Sequence, residues 1–242
     1  MYRQSFQTLL KSVEYLDLND LKWNDNDGKH ITDIISQKYT PNLQLLELGS
    51  NNLGVDFCQN LANALLETTF KTTTTTTTQF YKLILSSNIH IGDQQGKGIE
   101  HLAPCLLQIR DVSLRDISLT DEGCHRLVIA ASTHRNFATC RNVSSSPTTA
   151  TAATTVSPAL QNTETLNTTR LERLELEQNK IETKNNVLED IVRSIPSIKY
   201  LSVWGNPIDT AKLQNLQDLC TEQNIELVHY DKNVNNNKRK HS

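Results

Sequence analysis

The sequence lacks the features that mark secreted and membrane-spanning proteins. Its first residues, MYRQSFQTLLKSVEYL, contain no apolar segment typical of a signal peptide, and no apolar run reaches the roughly 18 residues needed to cross a bilayer. The five cysteines are odd in number and include no C-x-x-C pair, which favours reduced, buried thiols over disulfides. We therefore expect a cytoplasmic or nuclear protein with no membrane partner.

An excess of charge of one sign is also missing. The chain has 24 Lys and Arg residues against 27 Asp and Glu residues, so its formal net charge is −3. No field of basic charge covers the whole chain, and we expect no nucleic-acid partner. The basic triplet 238–240 near the end is either a nuclear address or part of a solvated tail.

Patterns of catalytic and metal-binding residues are equally scarce. The seven histidines form no H-x-x-x-H motif and no His/Cys cluster, and no Ser/His/Asp set has a meaningful spacing. The segment GDQQGKG at 92–98 is one residue short of a phosphate-binding loop and has Gly98 in place of the hydroxyl that binds Mg²⁺. We interpret it as a turn after a strand. The sequence therefore predicts no catalytic residue, metal or cofactor.

What the sequence does contain is a recurring leucine pattern. The template L-x-x-L-x-L-x-x-N-x-L fits 43–53 (LQLLELGSNNL), and it returns at 171–181 (LERLELEQNKI) and 198–208 (IKYLSVWGNPI). Looser copies begin at Val13, Phe80 and Ile109. The alternating leucines predict a short strand, and the residues that follow have helical spacing. One copy cannot bury its leucines alone, so neighbouring copies must stack around a shared core.

The copies resemble ribonuclease-inhibitor-type leucine-rich repeats. Starts at 80 and 109 are 29 residues apart, and LTDEGCHRL at 119–127 is similar to the start of the helix in that class. The class includes the Ran GTPase-activating proteins and the NOD-like receptors. The resemblance implies an α/β fold, a leucine-rich-repeat solenoid of about six repeats shaped as a curved horseshoe with a concave parallel sheet and convex helices. A class shared so widely implies binding and no single activity.

The repeats also predict how the chain is divided. The 132–170 segment is rich in Ser and Thr and has few apolar residues, so we expect it to be disordered, with a decayed repeat near Phe137 as the alternative. The expected parts are a capping helix at 1–12, repeats one to four at 13–131 with a Thr-rich loop at 71–79, the insertion at 132–170, repeats five and six with an end strand at 171–230, and a disordered basic tail at 231–242.

Polar residues at fixed places in the repeat have expected structural roles. Leu21 and Ile117 occupy the asparagine position in repeats one and four, so those turns need another solution. Asp93 and Asp121 are candidate helix N-caps. The asparagines expected to satisfy backbone groups of the turn after each strand are Asn51, Asn88, Asn179 and Asn206.

The outward-facing strand residues form the predicted binding surface. Glu172, Glu175 and Glu177 lie beside Tyr200 and Trp204, and an acidic patch next to aromatic rings suits a protein partner with a basic surface. Ordinary solvated strand residues are the alternative. The helix residues Glu189 and Asp190 should face the convex side or solvent. The full predicted partner-binding set is Tyr15, Asp17, Glu47, Tyr81, Lys82, Arg110, Arg115, Glu172, Glu175, Glu177, Tyr200 and Trp204.

Three functions fit these observations. The first is a non-enzymatic protein–protein interaction module that binds its partner on the concave face. The second, which the resemblance implies, is a GTPase-activating or other regulatory protein of the Ran GTPase-activating type, although the tail here is basic where those proteins have an acidic region. The third is a portion of a larger receptor.

Overall fold

Short strands and helices alternate along the chain in the computed structural model, which describes residues 10–37, 39–68, 80–142 and 169–229. The strands are β1 Tyr15–Asp17, β2 Leu45–Glu47, β3 Lys82–Ile84, β4 Asp111–Ser113, β5 Arg173–Glu175, β6 Tyr200–Ser202 and β7 Glu226–Val228. The helices are α1 Asp25–Ser36, α2 Val55–Thr68, α3 Asp93–Leu106, α4 Asp121–Asn142, α5 Val187–Ser194 and α6 Thr210–Glu222. The Thr-rich loop at 71–79, the tail at 231–242 and nearly all of the expected capping helix at 1–12 lie outside these ranges.

The strands form one open parallel sheet in chain order, from β1 to β7. In each strand the middle residue points into the core, and those of β2 to β6 are fully buried. The register aligns them across the sheet: Leu16, Leu46, Leu83, Val112, Leu174, Leu201 and Leu227. This α/β architecture is compatible with a solenoid.

The leucines of the sequence pattern build the shared core. Leu43, Leu46, Leu48 and Leu53 are all buried, as are most of their equivalents in the later copies, and one continuous hydrophobic cluster joins them to the inner faces of the helices. Because each unit covers its neighbour, only the two ends of the sheet leave middle-strand leucines partly exposed. None of the helices in the described ranges is long and apolar enough to span a membrane.

Asparagine side chains close the turns, but they act across the boundary between units. The side-chain Oδ1 of Asn51 accepts the N–H groups of Leu21 and Trp23 in the preceding unit, at 3.1 and 3.0 Å. Its Nδ2 donates to the carbonyls of Leu18 and Leu48, at 2.9 and 3.0 Å. Asn51 therefore completes the turn that lacks its own asparagine at Leu21.

Asn179 solves the same problem for Ile117. Its Oδ1 accepts the N–H groups of Ile117 and Leu119, at 3.0 and 2.9 Å, and its Nδ2 donates to the carbonyl of Leu114 at 2.8 Å. A backbone hydrogen bond also joins the Ile117 turn to the preceding unit, since Gly92 N–H donates to the Ile117 carbonyl at 2.9 Å. An added Cβ on Gly92 would lie 2.4 Å from that carbonyl oxygen, so this close approach requires glycine.

The carboxylates of the two candidate N-cap aspartates bind other partners. Asp93 is the first residue of α3, its cap is Gly92, and its carboxylate pairs with the His90 ring at 2.9 Å. Asp121 is the first residue of α4, and its carboxylate accepts backbone N–H groups from 182, 183 and 184 in the next unit, at 2.9, 3.0 and 2.8 Å. Both N-cap predictions were therefore wrong: Asp93 pairs with a side chain and Asp121 joins two units.

Helix α1 does begin with a side-chain cap. The Asn24 side chain accepts the N–H of Asn26 at 2.9 Å, and the Asp27 carboxylate accepts the N–H of Asn24 at 3.1 Å. This reciprocal pair satisfies donors that the first turn of a helix leaves free. Ile31 and Ile35 then bury one face of the helix against the core.

Helix α4 crosses the expected start of the Ser/Thr-rich insertion at 132 and ends at Asn142. Phe137, the expected start of a decayed repeat, lies inside this helix. Strand β4 pairs directly with β5, with Val112 opposite Leu174, so no strand is inserted between them. The rest of the insertion, 143–168, lies outside the described residues.

Helix α5 carries Glu189 and Asp190, which were both expected to face the convex side or solvent. Asp190 is partly exposed and lies 3.7 Å from Arg193, but Glu189 is only 4% exposed. Its Oε2 is buried and has no hydrogen-bond partner among the described residues. Glu189 therefore faces the interior and not the solvent.

Candidate functional site

The face of the sheet away from the helices carries the predicted binding residues; we call it the open face. It consists of the first and third residue of each strand, the residue just before the strand and the second residue after it. Tyr15, Asp17, Glu47, Lys82, Glu175 and Tyr200 occupy first or third strand positions. Tyr81, Arg110 and Glu172 directly precede β3, β4 and β5, while Arg115, Glu177 and Trp204 follow two residues after β4, β5 and β6.

An ionic network occupies the middle of the open face. Asp111 lies 3.1 Å from Lys82 and 3.8 Å from Arg173, and Arg173 donates to Glu175 at 2.7 Å. The Arg173 guanidinium also stacks over the Tyr200 ring, 3.5 Å from its centroid. Partial burial lowers the pKa of Arg173, but the hydrogen bond and charge of Glu175 outweigh it, so this pKa is raised overall. Four neighbouring strands thus hold one another's charged side chains in place.

Asp111 and Arg173 were missing from the predicted set, although they lie at the centre of this network. The signal that could have found them is their strand register. Both take the first position of their strands, between Lys82 on β3 and Tyr200 on β6. Cross-strand neighbours of opposite charge are a known source of sheet stabilisation.

A second ionic group lies at the edge where the strands begin. The Glu172 carboxylate accepts Arg110 Nε at 2.9 Å and Lys199 Nζ at 3.1 Å. The hydrogen bond from Lys199 is the largest influence on the pKa of Glu172, and together with Arg110 it lowers that pKa. Glu172 is therefore a paired carboxylate.

The third group lies at the opposite edge, where the strands end. The Ser202 hydroxyl donates to Glu177 at 2.7 Å, and Arg115 lies 3.7 Å from the same carboxylate. Arg115 also donates to Gln178 at 2.8 Å and lies 5.9 Å from the Trp204 ring centroid, within the range of a cation–π contact.

These pairs change the expected electrostatics of the surface. Glu172, Glu175 and Glu177 each contact at least one arginine or lysine, so they do not form an unpaired acidic patch. The register brings cations from the neighbouring strands to Glu172 and Glu177, whereas Glu175 pairs with Arg173 of its own strand. The ring of Tyr200 likewise lies under the Arg173 guanidinium, and the ring of Trp204 lies within cation–π range of Arg115.

Unpaired negative charge lies instead at the β1–β2 end. Asp17 accepts the N–H of Asn19 at 3.0 Å, and Glu47 accepts the Asn19 side-chain amide at 2.7 Å. Neither carboxylate has a cationic partner within the described ranges. Tyr15 is 53% exposed beside them, and its pKa is raised by desolvation and then by the charges of Glu47 and Asp17. This cluster offers negative charge and an exposed ring together.

The potential metal ligands and the cysteines were compared with known reactive arrangements. Within the described residues, no group of His, Cys, Asp and Glu has the arrangement of a metal site. Cys58, Cys105, Cys124 and Cys220 are buried free thiols, and burial raises the pKa of Cys105 to about 12 and of Cys220 to about 11. Such thiols are protonated at neutral pH and are poor nucleophiles.

Sequence comparison does not supply a family. The chain matches no model of a known protein family and no curated protein sequence. Its function therefore has to be inferred from the open face and the chemistry it offers.

Proposed function

We propose that the protein is a non-enzymatic interaction module, a ribonuclease-inhibitor-type leucine-rich-repeat solenoid of about six repeats that binds a protein partner on its concave face. The leucine template, the parallel strands in chain order and the asparagines that bridge adjacent turns support the repeat class. The open face is the concave side in this proposal. We place the protein in the cytoplasm or nucleus.

The observation that carries the proposal is the mixture of aromatic rings, arginines and paired charges on the open face. Arginines hold the rings of Tyr200 and Trp204, and the exposed rings of Tyr15 and Tyr81 lie on or beside the same short strands. Rings and arginines are the residues that most often dominate protein interfaces. The contacts with Arg173 and Arg115 restrain the rings of Tyr200 and Trp204, so less conformational entropy is lost when a partner contacts these two rings.

The distribution of charge suggests where a basic partner would dock. Seven strands at about 4.8 Å spacing give a sheet about 29 Å wide, enough for a protein interface. Charges in its middle are already paired, so they contribute shape and hydrogen bonding. Asp17 and Glu47 keep free negative charge beside Tyr15, and a lysine or arginine of the partner would be attracted there.

The first experiment identifies the partner by pull-down from the source cell and mass spectrometry, and calorimetry then measures its affinity. Asp17→Asn with Glu47→Gln should weaken binding by about tenfold or more, as expected for the loss of charged contacts in an interface. Tyr81→Ala should have an effect of similar size, because an exposed ring beside the sheet would be a contact residue.

A matched control neutralises exposed carboxylates on the helices: Glu67→Gln, Asp218→Asn and Glu222→Gln. It should leave the affinity unchanged. An equal loss from both sets would refute the open-face assignment. If the partner is a small GTPase and the protein accelerates GTP hydrolysis, the regulatory alternative replaces the simple binding module.

A further inference from the structure

A cavity of about 500 Å³ lies at the edge where the chain enters β3, β4 and β5. Phe80 and Tyr81 form part of its wall, and Gln108, Arg110, Arg170 and Glu172 supply polar groups. Its volume is within the range of small-molecule binding sites. It shares Tyr81, Arg110 and Glu172 with the edge of the open face, but Gln108 and Arg170 belong to the cavity and not to the predicted partner-binding set.

Gln108 is the unusual residue of this cavity. It is only 4% exposed, and its side-chain Nε2 is buried without a hydrogen-bond partner among the described residues. Its backbone N–H donates to the Cys105 carbonyl at 2.9 Å, which holds the residue at the end of α3. A buried amide donor without a partner is costly, and native proteins usually satisfy such groups. An acceptor in the cavity would remove that cost.

The two arginines add positive charge to the same wall. Arg110 engages Glu172 through its Nε, which leaves the other nitrogens of a guanidinium with five N–H donors to bind further acceptors. Arg170 is half-buried, and its backbone N–H donates to the Leu107 carbonyl at 2.7 Å. The charges of Arg110, Arg170 and Glu172 sum to one positive charge on the wall. That balance matches a ligand group with a single negative charge.

We propose that this cavity binds a carboxylate-bearing ligand. Arg110 and Arg170 hold the carboxylate through charge-assisted hydrogen bonds, and the Gln108 side chain turns its buried Nε2 toward the cavity to donate to an acceptor oxygen of the ligand. The Tyr81 ring, which is 40% exposed, contacts the apolar part of the ligand. A small organic acid and the C-terminal carboxylate of a peptide present the same chemistry, and the experiment separates them.

The test uses hippurate, which joins a carboxylate to an amide and a phenyl ring, with uncharged hippuramide as the matched ligand. Proton–nitrogen NMR should show the Gln108 side-chain amide shifting as hippurate is added. Gln108→Leu and Arg170→Gln should each weaken hippurate about tenfold. Lys199→Gln is the matched variant, since Lys199 also pairs with Glu172 but does not line the cavity. The affinity of this variant for hippurate should stay within about twofold of that of the wild type. Melting curves establish that each variant is folded.

A second pair of probes identifies the source of the carboxylate. Acetyl-Ala-Ala-Ala-Phe is compared with the same peptide ending in an amide. Tighter binding of the acid peptide than of hippurate points to a peptide C-terminus, and weaker binding points to a small acid. The proposal is overturned if neither acid shifts the Gln108 amide at about 10 mM, if hippuramide binds equally well, or if the cavity variants bind like the wild type. None of these results depends on partner binding at the open face.

Discussion

Asn179 joins β5 to the turn of the unit before it, although 62 residues separate it from Ile117 in the chain. Its side-chain amide uses both of its ends: the oxygen accepts two backbone N–H groups and the nitrogen donates to the carbonyls of Leu114 and Leu176. The residue is buried, so water cannot replace these partners. A single side chain therefore holds the boundary between two units.

Replacement of the Asn179 side chain should strongly reduce the stability of the fold. Asn179→Leu leaves several buried backbone groups unpaired and should lower the free energy of unfolding by about 3 kcal/mol or more. Asn206→Leu is the matched change, because Asn206 accepts one N–H, from Ile181 at 3.2 Å, and is more exposed. Its loss should be clearly smaller. Urea denaturation measures both, and equal losses would show that the number of buried partners does not set the cost.

At the scale of single residues, the sequence predicts which residues are buried better than it predicts which residues pair with each other. Leucine alternation correctly placed Leu46, Leu48 and Leu174 in the core, because period two leaves one face for them. It did not reveal that Arg173 lies between Asp111 and Tyr200. The template puts Asp111 and Arg173 at the same position of their copies, but their pairing requires that no repeat lies between β4 and β5, and a decayed repeat near Phe137 was the alternative.

At the scale of elements, α5 shows why a helix can bury a charge. The helix is only eight residues long and packs between α4 and α6. Val187, Leu188, Ile191 and Val192 form one buried face of about 140°, and Glu189 lies next to the edge of that face beside Val192, where it is buried as well. Helical periodicity places one apolar stripe, but a short helix with neighbours on two sides buries more than a stripe.

An apolar residue should therefore be able to replace Glu189 without lowering the free energy of unfolding. Glu189→Leu is expected to raise the free energy of unfolding by about 1 kcal/mol at pH 7, because it removes a buried carboxylate with an unpartnered oxygen. Glu189→Lys should lower the free energy of unfolding. Asp190→Leu is the control; it removes a partly exposed pair with Arg193 and should change stability by less than about 1 kcal/mol. If Glu189→Leu destabilises the protein, a buried water or ion satisfies the carboxylate.

At the scale of the whole molecule, the buried thiols predict a loss of stability in alkali. Burial raises the pKa of Cys105 to about 12, whereas an unfolded thiol has a pKa of about 8.5. The folded state thus keeps its proton longer, so this stabilisation is complete below about pH 8.5 and is lost as pH rises toward the folded value. As the pH rises from about 7.5 to 9.5, each such thiol should lower the free energy of unfolding by about 1.4 kcal/mol.

Urea denaturation at those two pH values measures the loss, and one variant isolates the contribution of a single thiol. Cys105→Ala leaves a cavity that lowers stability equally at both values, so only the pH-dependent part reports on ionisation. That part should shrink by about 1.4 kcal/mol relative to the wild type. An unchanged pH dependence would mean that Cys105 is not the protonated, buried thiol described above.

The last prediction concerns whether the units unfold together. The sheet is continuous from β1 to β7, β4 pairs directly with β5, and Asn179 bonds across the same boundary. Adjacent interfaces of this kind couple the units, so we expect one cooperative transition. Buried cysteines in four different helices report on it: Cys58 in α2, Cys105 in α3, Cys124 in α4 and Cys220 in α6.

Brief alkylation at increasing urea concentration, followed by peptide mass spectrometry, gives an unfolding midpoint for each thiol. The four midpoints should coincide in the wild type, because a thiol reacts only when its unit opens. In Asn179→Leu the boundary is weakened, so Cys220 should become reactive at a lower urea concentration than Cys58. If Cys220 already reacts first in the wild type, the units after the insertion unfold independently, and the β4–β5 pairing does not couple the two parts of the sheet.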